Sequence, residues 1–324
     1  MVDYTSQEMR KIYIYGAGVY GRRVYDALQK MNRTICGFIV SSKNTSTPKT
    51  IEGIPVFSLE EFAREKADNA MVLVATNESL HQEIKTAIDD AKLSVPKENI
   101  YFLDEAEVCE LHRNSNPANL EDVLKKTNPI SVEWGYDRGT PIDRYFIEGF
   151  LQTESKKYQN AELTFEVGED IYSKRFFPNA KHEILDFSKG MDLTKDGSIP
   201  ANRYDMFICT QTFHQIYDVK KAIQGSWDLL KDGGVMLATV CGTVTKQARN
   251  DEYKHFWGFT ESSITRLMQE VYGNNVTVTP YGNAMVATAF IQGLAAEELD
   301  PKLLNVLDDY YTICLSIVAK KVCK

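Results

Sequence analysis

Three sets of side chains in this 324-residue chain have the types and spacing that chemistry needs. The first is Gly16-Ala17-Gly18-Val19-Tyr20-Gly21, between a β-rich run and a helical pattern. There the first glycine permits a tight turn, the second lets backbone approach a pyrophosphate, and the third lets helix and strand pack closely. The amides at the helix start would face an anion. A dinucleotide site also needs an acid after the second strand for the ribose hydroxyls. The chain reads Val40-Ser41-Ser42-Lys43-Asn44 at that point, so NAD is not supported. Gly16, Gly18 and Gly21 are assigned to a nucleotide-type turn whose ligand stays open.

The second set lies in the C-terminal half. Glu166-Val167-Gly168-Glu169-Asp170 ends a strand-like run. Gly168 would let a cofactor approach the backbone, and Glu166 could orient the loop. Asp186 ends the next run, where a carboxylate can accept both hydroxyls of a ribose. Asp192 follows Phe187–Met191 and can accept from an adenine amino group. Thr210 and Gln211 close the run Tyr204–Cys209 at its carboxyl end, where α/β sheets place ligands. The third set is catalytic in type. His214 follows Thr212-Phe213, and its ordinary pKa near working pH suits a general base. His255, in His255-Phe256-Trp257, is the alternative base, and Trp257 is a candidate substrate contact. Arg138, Asp143 and Arg144 could hold a substrate phosphate or carboxylate, since guanidinium groups bind such anions bidentately. A structural Asp–Arg pair near a helix start is the competing reading.

Alternating elements must position these groups. Lys11–Tyr15, Ile35–Val40, Met71–Thr76 and Ile100–Leu103 read as strands, with helices expected over Val19–Met31, Ser58–Glu65 and Leu80–Leu93. That order predicts a parallel, helix-covered sheet. Glu105–Pro129 is charged and reads as a connection, with a helix near Leu120–Lys126. The pattern then restarts. Helices are expected at Pro141–Gln152, Val219–Leu230 and Ala284–Leu299. Strands are expected at Leu163–Val167, Glu183–Asp186, Tyr204–Cys209, Gly234–Val240, Asn275–Pro280 and Tyr311–Ala319. The reading is α/β with two Rossmann-like domains, 1–108 and 131–324, joined by a linker over 109–130.

Two resemblances follow. Lys11–Leu103, with Gly-Ile-Pro-Val-Phe at 53–57 and Val-Ala-Thr-Asn at 74–77, resembles the small Rossmann domains before sugar acyltransferases and related glycan-modifying enzymes. The segments YDMFICTQTFHQIYD and LLKDGGVMLATV resemble the fourth and fifth strands of class I S-adenosylmethionine (SAM)-dependent methyltransferases. WGYDRGTPIDRYFIEGFL, HFWGFT and GNAMVATAFIQGLAAEEL extend that likeness to a bacterial subfamily associated with glycosyltransferases and polysaccharide synthesis. The resemblance implies a mostly parallel methyltransferase-type sheet and SAM as cofactor. Its implied site comprises Glu166, Gly168, Asp186, Asp192, Thr210 and Gln211 around SAM, with a small or sugar-containing acceptor near His214 and His255. Two departures stand out. The family's cofactor loop carries three glycines, and this chain has Gly168 alone. The family also places a helix and a strand between the positions of Asp186 and Asp192. Either that element is shortened here or one of the two acids binds no cofactor.

Composition narrows the alternatives. The formal net charge is −8, with 45 acids against 37 bases, so no basic footprint for nucleic acid exists. No apolar run is long enough to span a membrane, and the polar N-terminus lacks the core of a signal peptide. A cytoplasmic location is expected. The six cysteines and five histidines are scattered along the chain, so no metal site is expected. The rival readings are a nucleotide- or nucleotide-sugar-binding protein without methyltransferase activity, and a nucleotide-dependent sugar-modifying enzyme. A homodimer is left open.

Overall fold

The computed structural model describes residues 11–65, 67, 69–117, 125–242 and 254–322. The chain divides into two compact units, Met1–Thr127 with Tyr136–Gly139 and Asn128–Gly135 with Thr140–Lys324. Most of the helix expected near Leu120–Lys126 lies outside the described residues.

The first unit holds β1 (Lys11–Tyr15), α1 (Val19–Lys30), β2 (Ile35–Val40), β3 (Thr50–Ile51), β4 (Ile54–Ser58), α2 (Leu59–Ala63), β5 (Ala70–Val74), α3 (His81–Ala91), β6 (Ile100–Phe102) and α4 (Glu105–Ser115). Its sheet has the order β3-β4-β2-β1-β5-β6, parallel except for the β3–β4 hairpin. β1 is buried on both faces. Ile12 and Ile14 enter one apolar cluster, and Tyr13 and Tyr15 the other. This period-two division suits a strand covered by helices on either side.

Two elements of this unit differ from expectation. The β3–β4 hairpin turns at Gly53, where φ is +78°. Glu105–Ser115 is a helix rather than an extended connection. Asp104 caps it, Glu107 completes a capping box, and Val108, Cys109 and Leu111 are buried. A capping residue followed three positions later by glutamate is a helix-start signal. The high charge of the segment had masked it.

The second unit holds α5 (Ile142–Ser155), β7 (Leu163–Val167), α6 (Ile171–Phe176), β8 (Lys181–Leu185), β9 (Tyr204–Thr210), α7 (Val219–Leu229), β10 (Leu230–Cys241), α8 (Glu261–Tyr272), β11 (Val276–Tyr281), α9 (Ala284–Ile291), α10 (Pro301–Leu304) and β12 (Cys314–Lys320). Its sheet runs β11-β12-β10-β9-β7-β8. β8, β7, β9 and β10 are parallel, whereas β12 is antiparallel to both β10 and β11. Alternation again divides the core. Phe207 and Cys209 join Met236 and Ala238 in one cluster, while Met206 and Ile208 join Val235 and Leu237 in the other. Burying each large apolar side chain contributes about 1.5–3 kcal/mol.

The connection from β8 to β9 contains a 3-10 turn at Phe187–Lys189 and no further helix or strand. A helix and a strand between Asp186 and Asp192, as the resemblance implied, are therefore absent. The helix expected over Ala284–Leu299 ends at Ile291. Gly293 has φ of +68°, and a Cβ there would lie 2.3 Å from the Ser131 carbonyl oxygen. Only glycine permits that close backbone approach without strain.

In each unit the chain leaves the first strand to one side and returns on the other. The reversals fall at β1/β5 and β7/β9, with Gly16 and Gly168 at their carboxyl ends. Such switch points open a crevice for ligands.

Candidate cofactor cleft and histidine cluster

The turn after β7 is held from below. Glu166 is 4 % exposed, and its Oε1 and Oε2 accept the amides of Tyr172 and Ser173 at 3.2 and 2.6 Å. Burial raises its pKa, and the Ser173 amide opposes that shift. The carboxyl group thus fixes the first turn of α6 and with it Gly168–Asp170. Gly168 has φ of +81°, and a Cβ there would meet nothing within 4 Å. Its amide donates to Leu185 at 3.1 Å, tying the ends of β7 and β8 together.

Asp186 and Asp192 each occupy a local turn. Asp186 Oδ1 accepts the Ser188 amide at 3.0 Å and its hydroxyl at 2.6 Å, and Oδ2 lies 3.0 Å from Lys189 Nζ. Ser188 and then Lys189 hold its pKa below the usual range. Asp192 Oδ1 accepts the Thr194 amide and hydroxyl at 2.9 and 2.8 Å, and Oδ2 lies 3.4 Å from Lys195 Nζ. Both side chains are ready acceptors.

Thr210 ends β9. Gln211 follows with φ of +49°, which a non-glycine residue adopts at a cost of about 1–3 kcal/mol. The Gln211 amide donates to Thr239 O at 2.8 Å, and its Nε2 lies 3.6 Å from Cys314 Sγ. Asp143 accepts the Arg144 amide at 2.8 Å. Desolvation raises its pKa, and its charge in turn raises those of Tyr172 and Cys314. Arg144 pairs with Glu148 at 3.5 Å.

Cys314 pairs in register with Cys241 across β10 and β12, which leads to a second group. One ligand atom each from His214, Cys241 and His255 lies within 4.8 Å of the other two. The two imidazoles meet edge to face with centroids 4.5 Å apart. His214 is 1 % exposed, and its Nδ1 is buried without a hydrogen-bond partner among the described residues. An unsatisfied buried group of this kind costs about 1–3 kcal/mol. Desolvation, and then the His255 charge, push the His214 pKa down to about 3. Desolvation also lowers His255. Burial thus disfavours the charged form of both rings. Burial therefore weighs against protonation of His214, the residue expected from the sequence to act as base.

Trp134 and Cys241 complete this group, and sequence reasoning missed both. Trp134 stacks on His255 at 6.1 Å from a backbone with φ of +60°. Cys241 is buried at the end of β10. Its thiol donates to Trp257 O at 3.4 Å. The Trp257 ring points elsewhere: Nε1 donates to Ile216 O at 3.0 Å, and the ring stacks with Tyr217.

Arg138 belongs to the first unit. It is fully buried, its Nη2 donates to Asn116 O at 3.0 Å, and its carbonyl accepts from Arg113 Nη1 at 2.7 Å. Those bonds secure the end of α4. In the glycine turn of the same unit, a Cβ on Gly21 would lie 1.9 Å from Gly16 O, and one on Gly16 would lie 2.4 Å from Ala75 O. A Cβ on Gly18 meets nothing within 4 Å. Two of the glycines thus serve close packing and the third faces open space. A pocket of about 200 Å³ adjoins the turn, lined in part by Tyr15, Gly16, Ser41 and Thr76. Ser41 Oγ meets Tyr15 Oη at 3.0 Å, and Lys43 pairs with Glu61 at 2.5 Å.

A larger pocket of about 400 Å³ lies at the amino ends of β7, β8 and β9. Three of its charged residues are already paired, Arg203 with Glu183 and Lys231 with Asp205. The crevice at the carboxyl ends remains the better candidate. Among the described residues no helix is long and apolar enough to cross a membrane.

Residues 11–82 match a family described as the PglD N-terminal domain. No curated protein matches the chain. Similar solved structures include SAM-dependent methyltransferases. One, from Archaeoglobus fulgidus, is 10 % identical, with a TM-score of 0.35, covering 55 % of this chain and 98 % of its own. Another is the Burkholderia thailandensis 1,6-didemethyltoxoflavin-N1-methyltransferase, which contains 1,6-didemethyltoxoflavin and S-adenosylhomocysteine. It is 13 % identical, with a TM-score of 0.35, covering 56 % of this chain and 82 % of its own.

Proposed function

We propose that the second unit transfers a methyl group from SAM to a small-molecule or sugar-containing acceptor. The observation that carries this reading is the β7/β9 switch point. At the carboxyl ends of the parallel strands lie an open glycine turn and two ionised carboxylates, and β9 ends at a strained Gln211, three residues before His214, whose ring meets His255. The residues fit the cofactor. The space before Gly168 admits a ligand against backbone, and Asp186 and Asp192 suit the ribose hydroxyls and the adenine amino group. Thr210 and Gln211 would border it, while Glu166 holds the turn rigid. When bound, SAM supplies an electrophilic methyl group.

The chain's own work is to position the acceptor and manage its proton. His255 is the less buried imidazole and is the group proposed to face the acceptor hydroxyl. His214 is proposed to orient it. Asp143 and Arg144, beside Tyr172, would lie on the cofactor side. A glycan-related acceptor is favoured by the PglD-type match of the first unit. A nucleotide at Gly18 of that unit is proposed on the open glycine and the adjoining pocket. The described cysteines Cys36, Cys109, Cys209, Cys241 and Cys314 form no disulfide with one another, which suits a reducing cytoplasm.

Calorimetry and native mass spectrometry of the full chain test the reading. One SAM or S-adenosylhomocysteine per chain is expected, with affinity reduced by Asp186→Asn. Absence of binding by either molecule refutes it.

A further inference from the structure

We propose that His214, Cys241 and His255 form a site for a divalent transition metal, zinc foremost, with a fourth position open to the acceptor. Their ligand atoms converge within 4.8 Å although the residues come from three separate places: the turn after β9, the end of β10 and the segment before α8. Two imidazoles and a thiol are donors for borderline-soft ions and do not suit magnesium or calcium. Among the described residues these three are the protein ligands; a tetrahedral ion on them would keep one position open, the arrangement of catalytic zinc, whereas structural sites close all four.

The geometry is near that of a bound state. With bonds of about 2.0–2.3 Å, tetrahedral zinc holds its ligand atoms roughly 3.3–3.8 Å apart. The present cluster would close by roughly 1 Å, within the reach of small side-chain rotations. His214 Nδ1 independently points to a ligand, because it is buried with no hydrogen-bond partner among the described residues. A metal ion at that nitrogen, or one that frees the ring to turn, removes the deficit.

The frame around the cluster is already tied. His214 O accepts the amides of Phe256 and Trp257 at 2.9 and 3.3 Å, and Trp257 O accepts the Cys241 thiol at 3.4 Å. The segment bearing His255 is thus fastened to the backbone of His214, and before metal binds also to the Cys241 thiol. Trp134 covers the His255 ring. Metal binding would send the thiol proton to solvent, and the ion would neutralise the resulting buried thiolate.

Placing the acceptor at the fourth position rests on the methyl-transfer reading. The metal site itself rests on the three side chains. An acceptor hydroxyl or thiol on the ion would release its proton to solvent at a pH far below its free value. Recruitment of a proton-accepting imidazole would then be unnecessary, and His255 would serve as a ligand.

The test uses full-length protein stripped of metal, titrated with zinc against a chromogenic chelator and separately with cobalt(II). One zinc per chain is expected, and the cobalt form should show a thiolate-to-metal charge-transfer band with intense tetrahedral transitions. Cys241→Ser should abolish that band. His255→Gln should weaken zinc binding at least about tenfold, since loss of an outer partner alone costs about 10–100-fold. Circular dichroism monitors folding. His255→Gln, at a half-exposed position, decides the matter should Cys241→Ser fail to fold. No stoichiometric zinc, or equal binding by wild type and variants, overturns the proposal. SAM affinity measured on metal-free protein separates the two readings: zinc without SAM leaves the metal site standing, and SAM without zinc leaves methyl transfer standing.

Discussion

Replacing Glu166 by glutamine removes one of the two acceptors that hold the turn after β7 while leaving the side-chain volume nearly unchanged. The carboxylate accepts the Tyr172 and Ser173 amides at 3.2 and 2.6 Å in a buried setting. Glutamine offers one acceptor oxygen, so one of those amides would face an NH₂ group. Hydrogen bonds to charged groups contribute about 1.5–3 kcal/mol, and relief of the buried charge offsets part of the loss. The net expectation is a destabilisation of about 1–3 kcal/mol. At about 2–4 °C per kcal/mol for a unit of this size, the melting temperature of the second unit falls by roughly 2–12 °C. SAM affinity should fall as well, because Gly168 is positioned through this bond. Glu169→Gln, on the exposed side of the same turn, should stay within about 0.5 kcal/mol. The pH dependence supplies an internal check. Burial raises the folded carboxyl pKa, so the folded chain retains a proton that the unfolded chain has released. Its contribution is fully present below about pH 4 and is lost as pH rises through the folded value. Glutamine does not titrate, so the deficit of Glu166→Gln relative to wild type should be larger near pH 4 than near pH 7. Thermal melts by circular dichroism at both values, with calorimetry of SAM, measure this. A variant that melts like wild type at neutral pH refutes the anchoring role.

Other predictions address the remaining parts. Asp186→Asn and Asp192→Asn should each weaken SAM binding roughly ten- to hundredfold in calorimetry, corresponding to one or two lost hydrogen bonds; unchanged affinity in both would move the cofactor away from this crevice. His255→Gln should lower kcat by about 10²–10⁴ with SAM affinity unchanged, whether the imidazole takes the acceptor's proton or holds the proposed metal, and a collapse of SAM affinity instead would place His255 against the cofactor. Gly21→Ala should strongly destabilise the first unit, because its Cβ would lie 1.9 Å from Gly16 O, whereas Gly18→Ala should fold normally. Equal melting temperatures for those two variants would refute the division of roles between the glycines.

Much of the architecture could be read from local pattern. Alternation of apolar residues along Tyr13–Tyr15 and Met206–Cys209 marks strands buried on both faces, because side chains of a strand point alternately to its two sides. The glycine turn at Gly16–Gly21 was legible for the same kind of reason, since backbone approach constrains adjacent residues. Glu105–Ser115 carried a readable signal too, in the Asp104–Glu107 capping box, but its charge suggested a connection. The helix at Glu261–Tyr272, capped by Thr260 and Ser263, was overlooked in the same way.

Other features depended on distant backbone. The break after Ile291 arises from the approach of Ser131 to Gly293, which no local window contains. Arg138 reads as an anion ligand by type, yet the first unit buries it against the carbonyl of Asn116. The histidine cluster shows the limit most clearly. His214, Cys241 and His255 have no ligand-like spacing along the chain, and their dispersion argued against a metal. They meet because β9 and β10 are parallel neighbours whose carboxyl ends lie side by side, while backbone hydrogen bonds from Phe256 and Trp257 draw the third residue over His214. Periodicity determines which face a side chain occupies, but strand pairing determines which distant side chains share that end of the sheet.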